Sequence, residues 1–287
     1  MLNAILQGIL LGGLYALFAA GLSLVFGVMR IVNLAHGDLA ILAGFLAFVL
    51  VDSANFSPFL TLVVVVPAMF VLGYVLQRGI LNYTLGSTEL APLLATFGLA
   101  VVLQNVMQEA FSADQRGLDA GRIEDTSLAL GGGVNLGWLP LLTLGIGIVV
   151  ILGLYLVLER TQVGRAFRAA SDDSEAAAIV GIDQRHLYAL ATAIALATVG
   201  VAGVLLGIRT SFGPSDGPSQ LIFAFEAVII GGLGNLWGTL VGGIVLGVAQ
   251  TVGGEIDPSY GVLAGHLVFL AVLVLRPTGL FPRATLA

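Results

Sequence analysis

Four ionisable side chains stand where the chain is otherwise apolar: His36, Asp38, Glu226 and His266. His36 and Asp38 flank Gly37 in Asn33-Leu34-Ala35-His36-Gly37-Asp38-Leu39, at the head of an apolar run. Glu226 lies inside an apolar run over 222–230, and His266 inside the final apolar segment. Ionisable groups within a bilayer are costly and by default mark solute paths or partnered contacts. Two readings stand for His36 and Asp38: a polar helix start at the membrane interface, or a lining of a path where freed backbone groups meet polar solute atoms. Glu226 requires a cavity or a partner. His266 reads as a packed, hydrogen-bonded histidine, and Glu109, near a segment end, as interfacial.

Other chemistries are excluded. Cys is absent, and the three His residues (His36, His186, His266) form no metal-ligand spacing. No Ser/His/Asp set, metal cluster or cofactor loop is legible, so no catalytic residue, metal or cofactor is expected. All eleven basic residues are Arg. A P-loop needs its Lys on the phosphates, so the chain does not bind ATP by that route. The net charge of −6 argues against nucleic acid as a partner.

A polar island interrupts the apolar sequence at Asp172-Asp173-Ser174-Glu175-Ala176-Ala177-Ala178-Ile179-Val180-Gly181. Asp172 is placed to cap a helix, with Glu175 at the third position reaching back. Asp173 and Glu175 suit the positive end of the helix dipole. Ala176, Ala177 and Ala178 favour helix, and Gly181 suits the position just past its end. Two turns are marginal alone in water, so this helix needs a partner surface. The preceding Gly164-Arg165-Ala166-Phe167-Arg168 offers a second short helix with Arg165 and Arg168 on one side. The alternative is a plain hairpin on the membrane surface.

These residues must be positioned by membrane helices. The 287-residue chain is 58% hydrophobic and only 10% charged, against roughly 25% in a soluble domain. Its apolar runs are unbroken rather than alternating, which favours helices over a barrel. Runs over 4–28, 39–51, 58–76, 90–111, 139–158, 187–208, 221–230, 236–252 and 261–275 predict about eight to ten spans. The segment over 4–28 reads as a retained span rather than a leader. Short or broken helices are expected near 33–40 and 221–240. Pro67 and Pro92 are expected to kink their spans, and Trp138 and Trp237 to sit at interfaces. Glycines at 8, 12, 13, 238, 242, 243 and 247 read as helix-packing positions. Asn33-Leu34-Ala35-His36-Gly37-Asp38-Leu39 and Gly234-Asn235-Leu236-Trp237-Gly238-Thr239-Leu240 share a gapped pattern, a pointer to paired interrupted helices at a transport site. Asn33 and Asn235 therefore join the path candidates.

Arg160, Arg165, Arg168 and Arg185, with Arg78, Arg276 and Arg283, place the 159–186 loop and the C-terminus in the cytoplasm. The 112–137 loop, with Gly131-Gly132-Gly133, then lies outside, as a flexible connection or a docking surface for an external partner.

The chain resembles the permease subunits of branched-chain amino acid ABC transporters. Asn33-Leu34-Ala35-His36-Gly37-Asp38 after Arg30 is similar to that family's first signature. Gly164-Arg165-Ala166-Phe167-Arg168-Ala169, Glu175-Ala176-Ala177 and Gly181-Ile182-Asp183 resemble its cytoplasmic coupling loop. Gly231-Gly232-Leu233-Gly234-Asn235 with Gly238 resembles its late Gly-rich signature. The general importer loop continues with Ile-x-Leu-Pro; here Ile194-Ala195-Leu196 lies later and lacks the Pro. The resemblance implies an all-α inner-membrane permease forming a single domain over 1–287. It also implies a second permease, identical or sister, two cytoplasmic ATPases gripping the coupling loop, and an extracytoplasmic binding protein. The alternative is a stand-alone secondary transporter or channel for a small polar solute, which has no need of a capped cytoplasmic helix.

Overall fold

The computed structural model describes residues 1–85, 88, 90–131 and 134–281. Arg283, Gly132 and Gly133 lie outside the described residues. Twelve α-helices follow in chain order: α1 (Leu2–Met29), α2 (His36–Ala54), α3 (Leu62–Gly79), α4 (Leu90–Phe111), α5 (Arg122–Asp125), α6 (Trp138–Arg160), α7 (Gln162–Asp172), α8 (Ser174–Ile179), α9 (Gln184–Arg209), α10 (Gly217–Gly231), α11 (Leu236–Ile256) and α12 (Tyr260–Leu275). A hairpin of β1 (Ser127–Gly131) and β2 (Val134–Gly137) precedes α6. Among the described residues seven helices are long and apolar enough to cross a membrane: α1, α2, α3 with the 3-10 turn that follows it, α4, α6, α9 and α11. The two shorter apolar helices are α10 and α12. The run over 39–51 predicts only a short segment. It instead belongs to the 19-residue α2, which gains a turn from the polar residues before it.

A helix in lipid needs no polar side, and α1, α6 and α12 are predominantly apolar all round. Position in the bundle decides their burial. The α1 helix is enclosed from Gly12 to Val25, whereas only Gly265 of α12 is fully buried. Between helices in lipid, close packing replaces the hydrophobic drive, and small residues permit it. A Cβ on Gly8 would lie 2.5 Å from Val248 Cα, and one on Gly243 would lie 2.7 Å from the Gly12 carbonyl. The expected glycine contacts thus form the α1–α11 crossing. Gly73 does the same for α3 against α9, with the Thr192 carbonyl 2.7 Å from its absent Cβ.

The bundle has a pseudo-two-fold plan. The pair α1–α11 corresponds to α9–α3, α1–α10 to α9–α2, and α10–α12 to α2–α4. The two halves run in opposite directions. The end of α1 meets α7 through Ser171 Oγ, which donates to the Gly27 carbonyl at 2.8 Å. On that same face α9 begins, directly after α8. The start of α1 lies at the β-hairpin, where Gln7 Nε2 donates to the Asn135 carbonyl at 2.7 Å. The duplication expected from the Asn-Leu patterns therefore exists in another register: α2 pairs with α10, while Asn235 precedes α11.

Both half-helices start deep in the bundle. His36 Nε2 bonds the Phe18 carbonyl at 2.9 Å, about three turns or roughly 16 Å before the end of α1. There α2 meets the start of α10: a Cβ on Gly37 would lie 2.8 Å from the Gly217 carbonyl carbon. From this contact α2 runs to the hairpin face and α10 to the α7–α8 face. Pro218 in the first turn of α10 gives up an N–H that has no helical partner there. Pro92 likewise falls in the first turn of α4 rather than mid-span; Pro67 lies inside α3. Trp138 and Trp237 open α6 and α11 at opposite faces, both partly exposed. The 112–137 loop carries α5 and the hairpin, and Arg116 pairs its backbone with Phe212, so it is more than a flexible connection.

Candidate functional site

The polar island forms a compact, doubly capped unit. Thr161 caps α7, its hydroxyl accepting from the Gly164 N–H at 3.1 Å. Gly164 must be glycine: an added Cβ would lie 2.5 Å from the Leu158 carbonyl carbon. Arg168 donates to the Leu158 carbonyl and pairs with Glu159 Oε1 at 3.5 Å, so it ties α7 to α6; Arg165 is exposed. Phe167 and Ala170 bury the other face of α7.

Asp173, not Asp172, caps α8. Its Oδ1 accepts from the Glu175 N–H at 3.0 Å and the Ala176 N–H at 2.9 Å. Asp172 still belongs to the last turn of α7, because the chain turns one residue later than the pattern suggested. The third helical position is thus Ala176, which cannot close a capping box; Glu175 keeps only its favourable place near the dipole. At the far end, Gly181 adopts φ +89°. Its N–H bonds the Ala178 carbonyl at 3.0 Å, and the Ile182 N–H bonds the Ala177 carbonyl at 3.0 Å. This is a Schellman closure, which favours glycine at that position. Ala177 and Ile182 face inward, while Glu175, Ala176, Ile179 and Val180 face outward. Ile179 is 86% exposed and Val180 76%. A short helix fixed at both ends thus presents two bare aliphatic side chains and a carboxylate on the outside of the bundle.

The intramembrane candidates separate into three places. His36 and Asp38 lie together at the meeting of α2 and α10, both 1% exposed. Gln104 of α4 donates to Asp38 Oδ1 at 2.9 Å. Asn33 turns the chain just before them, its Oδ1 accepting from the Ala35 N–H at 3.0 Å. Glu226 lies elsewhere on α10. It is 4% exposed and has a partner: His266 Nδ1 lies 2.5 Å from its Oε1. Asn235 sits at the α7–α8 face. There it caps α11, accepting from the Gly238 N–H at 2.9 Å and donating to the Phe281 carbonyl at 3.0 Å. The sequence reading missed Gln104 and Gly217. Gln104 was detectable as an amide inside an apolar span; Gly217 was not, since its role comes from the approach of α2.

A family model for the branched-chain amino acid transport system permease component matches residues 4–275. The chain belongs to that family. The permease protein BraD of the high-affinity branched-chain amino acid transport system of Pseudomonas aeruginosa is 30% identical, over 98% of this chain and 96% of BraD. LivM, a permease protein of the corresponding Escherichia coli system, is 29% identical over 47% of this chain and 32% of LivM. Among solved structures, PsaBC from Streptococcus pneumoniae in complex with Fab covers 96% of this chain at 16% identity and a TM-score of 0.49. As a family member the chain is a multi-pass permease component rather than a catalytic enzyme, with its apolar helices forming the membrane part.

Proposed function

We propose that this permease is the membrane subunit of an ATP-driven importer for branched-chain or related amino acids, with residues 1–287 as one permease domain. Two ATPase subunits dock on the 159–186 segment from the cytoplasm. Gly164, Arg165 and Arg168 build its first helix. Asp173, Glu175, Ala176, Ala177, Gly181 and Ile182 build or present the second. A second permease, identical or a sister chain, completes the membrane part, and an extracytoplasmic binding protein delivers the amino acid on the hairpin face.

The observation that carries this reading is α8. Exposed Ile179 and Val180 on a helix held at both ends suit burial against another protein, because a rigid apolar projection loses little entropy on docking. Seven Arg residues, at 30, 78, 160, 165, 168, 185 and 276, gather on or near that face, which fits the cytoplasmic side. Movement of α8 passes through α7 and Ser171 to the end of α1, and along α1 to the α2–α10 contact. Opening that contact uncovers the path candidates Asn33, His36 and Asp38; Glu226 rides on α10, and Asn235 anchors α11 at the exit. ATP closure acts as a ligand that binds one arrangement better than the other.

The test is reconstitution of the permease pair with its ATPases and binding protein in vesicles. ATP-dependent accumulation of leucine is expected. Accumulation without nucleotide, driven by an ion gradient, would favour the stand-alone transporter.

A further inference from the structure

A second polar cluster gathers around Tyr15 of α1, where α10, α11 and α12 pack on one another and α9 packs on α1. Tyr15 Oη donates to Gln250 Oε1 at 2.5 Å. That bond orients the amide and leaves Nε2 as a spare donor. His266 occupies Glu226 Oε1, leaving Oε2 as a spare acceptor. Arg209 closes α9, and its Nη1 is buried. Six buried side-chain polar atoms have no hydrogen-bond partner among the described residues, and three of them are Gln250 Nε2, Glu226 Oε2 and Arg209 Nη1. Glu226 is 4% exposed and Gln250 8%. The Arg209 and Glu226 charges both lie within electrostatic reach of the Tyr15 phenol. Phe223 stands 5.2 Å from the Tyr15 ring and 6.2 Å from the His266 ring, closing one side with aromatic carbon.

Leaving one such group unpaired costs about 1–3 kcal/mol, more if charged, so three in one place imply a ligand that pairs them. The set has a definite complement. A guanidinium and an amide N–H together suit a carboxylate. A single carboxylate oxygen in a buried place suits an ammonium. The aromatic wall suits an apolar side chain. We propose that Arg209, Gln250 and Glu226 form an intramembrane station for the zwitterionic head of an apolar α-amino acid. The carboxylate of the solute meets Arg209 Nη1 and Gln250 Nε2, the ammonium meets Glu226 Oε2, and the side chain lies along Tyr15 and Phe223. The station rests on the import reading above and gives it a recognition step inside the membrane, separate from any delivered by a binding protein.

The test uses the permease–ATPase complex in lipid nanodiscs without binding protein. Tritiated leucine is bound and then competed with leucine, with 4-methylpentanoate (no ammonium) and with 3-methylbutylamine (no carboxylate). A site built on paired polar groups rejects both analogues by at least about tenfold. Glu226→Gln is expected to bring 4-methylpentanoate close to leucine, and Arg209→Gln to do the same for the amine. Should Arg209→Gln fail to assemble, Arg209→Met, which also removes the charge and keeps a long flexible side chain, carries the same comparison. Tyr15→Phe releases the Gln250 amide and is expected to weaken leucine without changing the preference between the analogues. No saturable leucine binding to the wild-type complex, or wild-type discrimination in the Glu226 and Arg209 variants, overturns the station. ATP-dependent leucine import by the full system, measured in parallel, tests the import reading separately: a system that imports without this binding loses the station alone.

Discussion

Asp38 and Gly217 meet where the two oppositely directed half-helices begin. The Asp38 carboxylate carbon lies 2.6 Å from the point a Cβ on Gly217 would occupy. No other residue type fits at 217 without moving Asp38, and Asp38 sits at the positive end of the α10 dipole. The contact is both a tight seam and an electrostatic one.

Gly217→Ala is therefore expected to destabilise the bundle by about 1–3 kcal/mol, the usual cost of overpacking. Thermal unfolding in detergent checks it. Asp38→Asn keeps the volume and the bond from Gln104 but loses the charge at the helix start. It is expected to assemble normally and to transport poorly; wild-type uptake by assembled Asp38→Asn would remove the carboxylate from the mechanism.

Asp173→Ala is expected to release the first turn of α8 at a cost of about 1 kcal/mol, seen as faster hydrogen exchange at Glu175 and Ala176. Asp172→Ala is expected to leave those amides unchanged. The reverse result would restore the cap to residue 172.

Gly181→Ala places a side chain at φ +89° and is expected to loosen the end of α8 by about 1 kcal/mol. Gly181→Pro also removes the N–H that closes on Ala178. In reconstituted complexes the Pro variant is expected to lose uptake while the spans stay folded. Normal uptake with normal ATPase stimulation would detach α8 from coupling.

Gly247→Leu forces α1 and α11 apart, because Gly247 packs on the Gly8 carbonyl and the Gly12 backbone. The expected outcome is loss of folded protein in the membrane, read by fluorescence-detected chromatography. Gly98→Leu is the control, since nothing lies near its missing side chain, and it is expected to be tolerated.

Much of this was legible in the sequence. Unbroken apolar runs predicted about eight to ten spans, and the described residues form seven span-length apolar helices and two shorter ones; Gly243 and Gly247 announced a close crossing. Gly181 declared the end of α8, because a glycine after an alanine run has few other uses. The details that failed depend on neighbours far away in sequence. Asp172 and Asp173 are chemically equal, and only the end of α7 selects between them. Asn33 and Asn235 look alike in pattern, yet one turns the chain deep in the bundle and the other caps a helix at its face. The Tyr15–Gln250 and Glu226–His266 pairs join helices that hydropathy alone cannot place side by side.

A nucleotide-hydrolysing partner is expected to take hold at α8. Because the chain contains no cysteine, Ala176→Cys introduces its single thiol on the exposed side of α8. In the assembled transporter, a short thiol cross-linker at this position is expected to capture an ATPase subunit and to abolish leucine uptake. Uptake that continues at the wild-type rate with residue 176 fully modified and no ATPase captured would remove α8 from coupling.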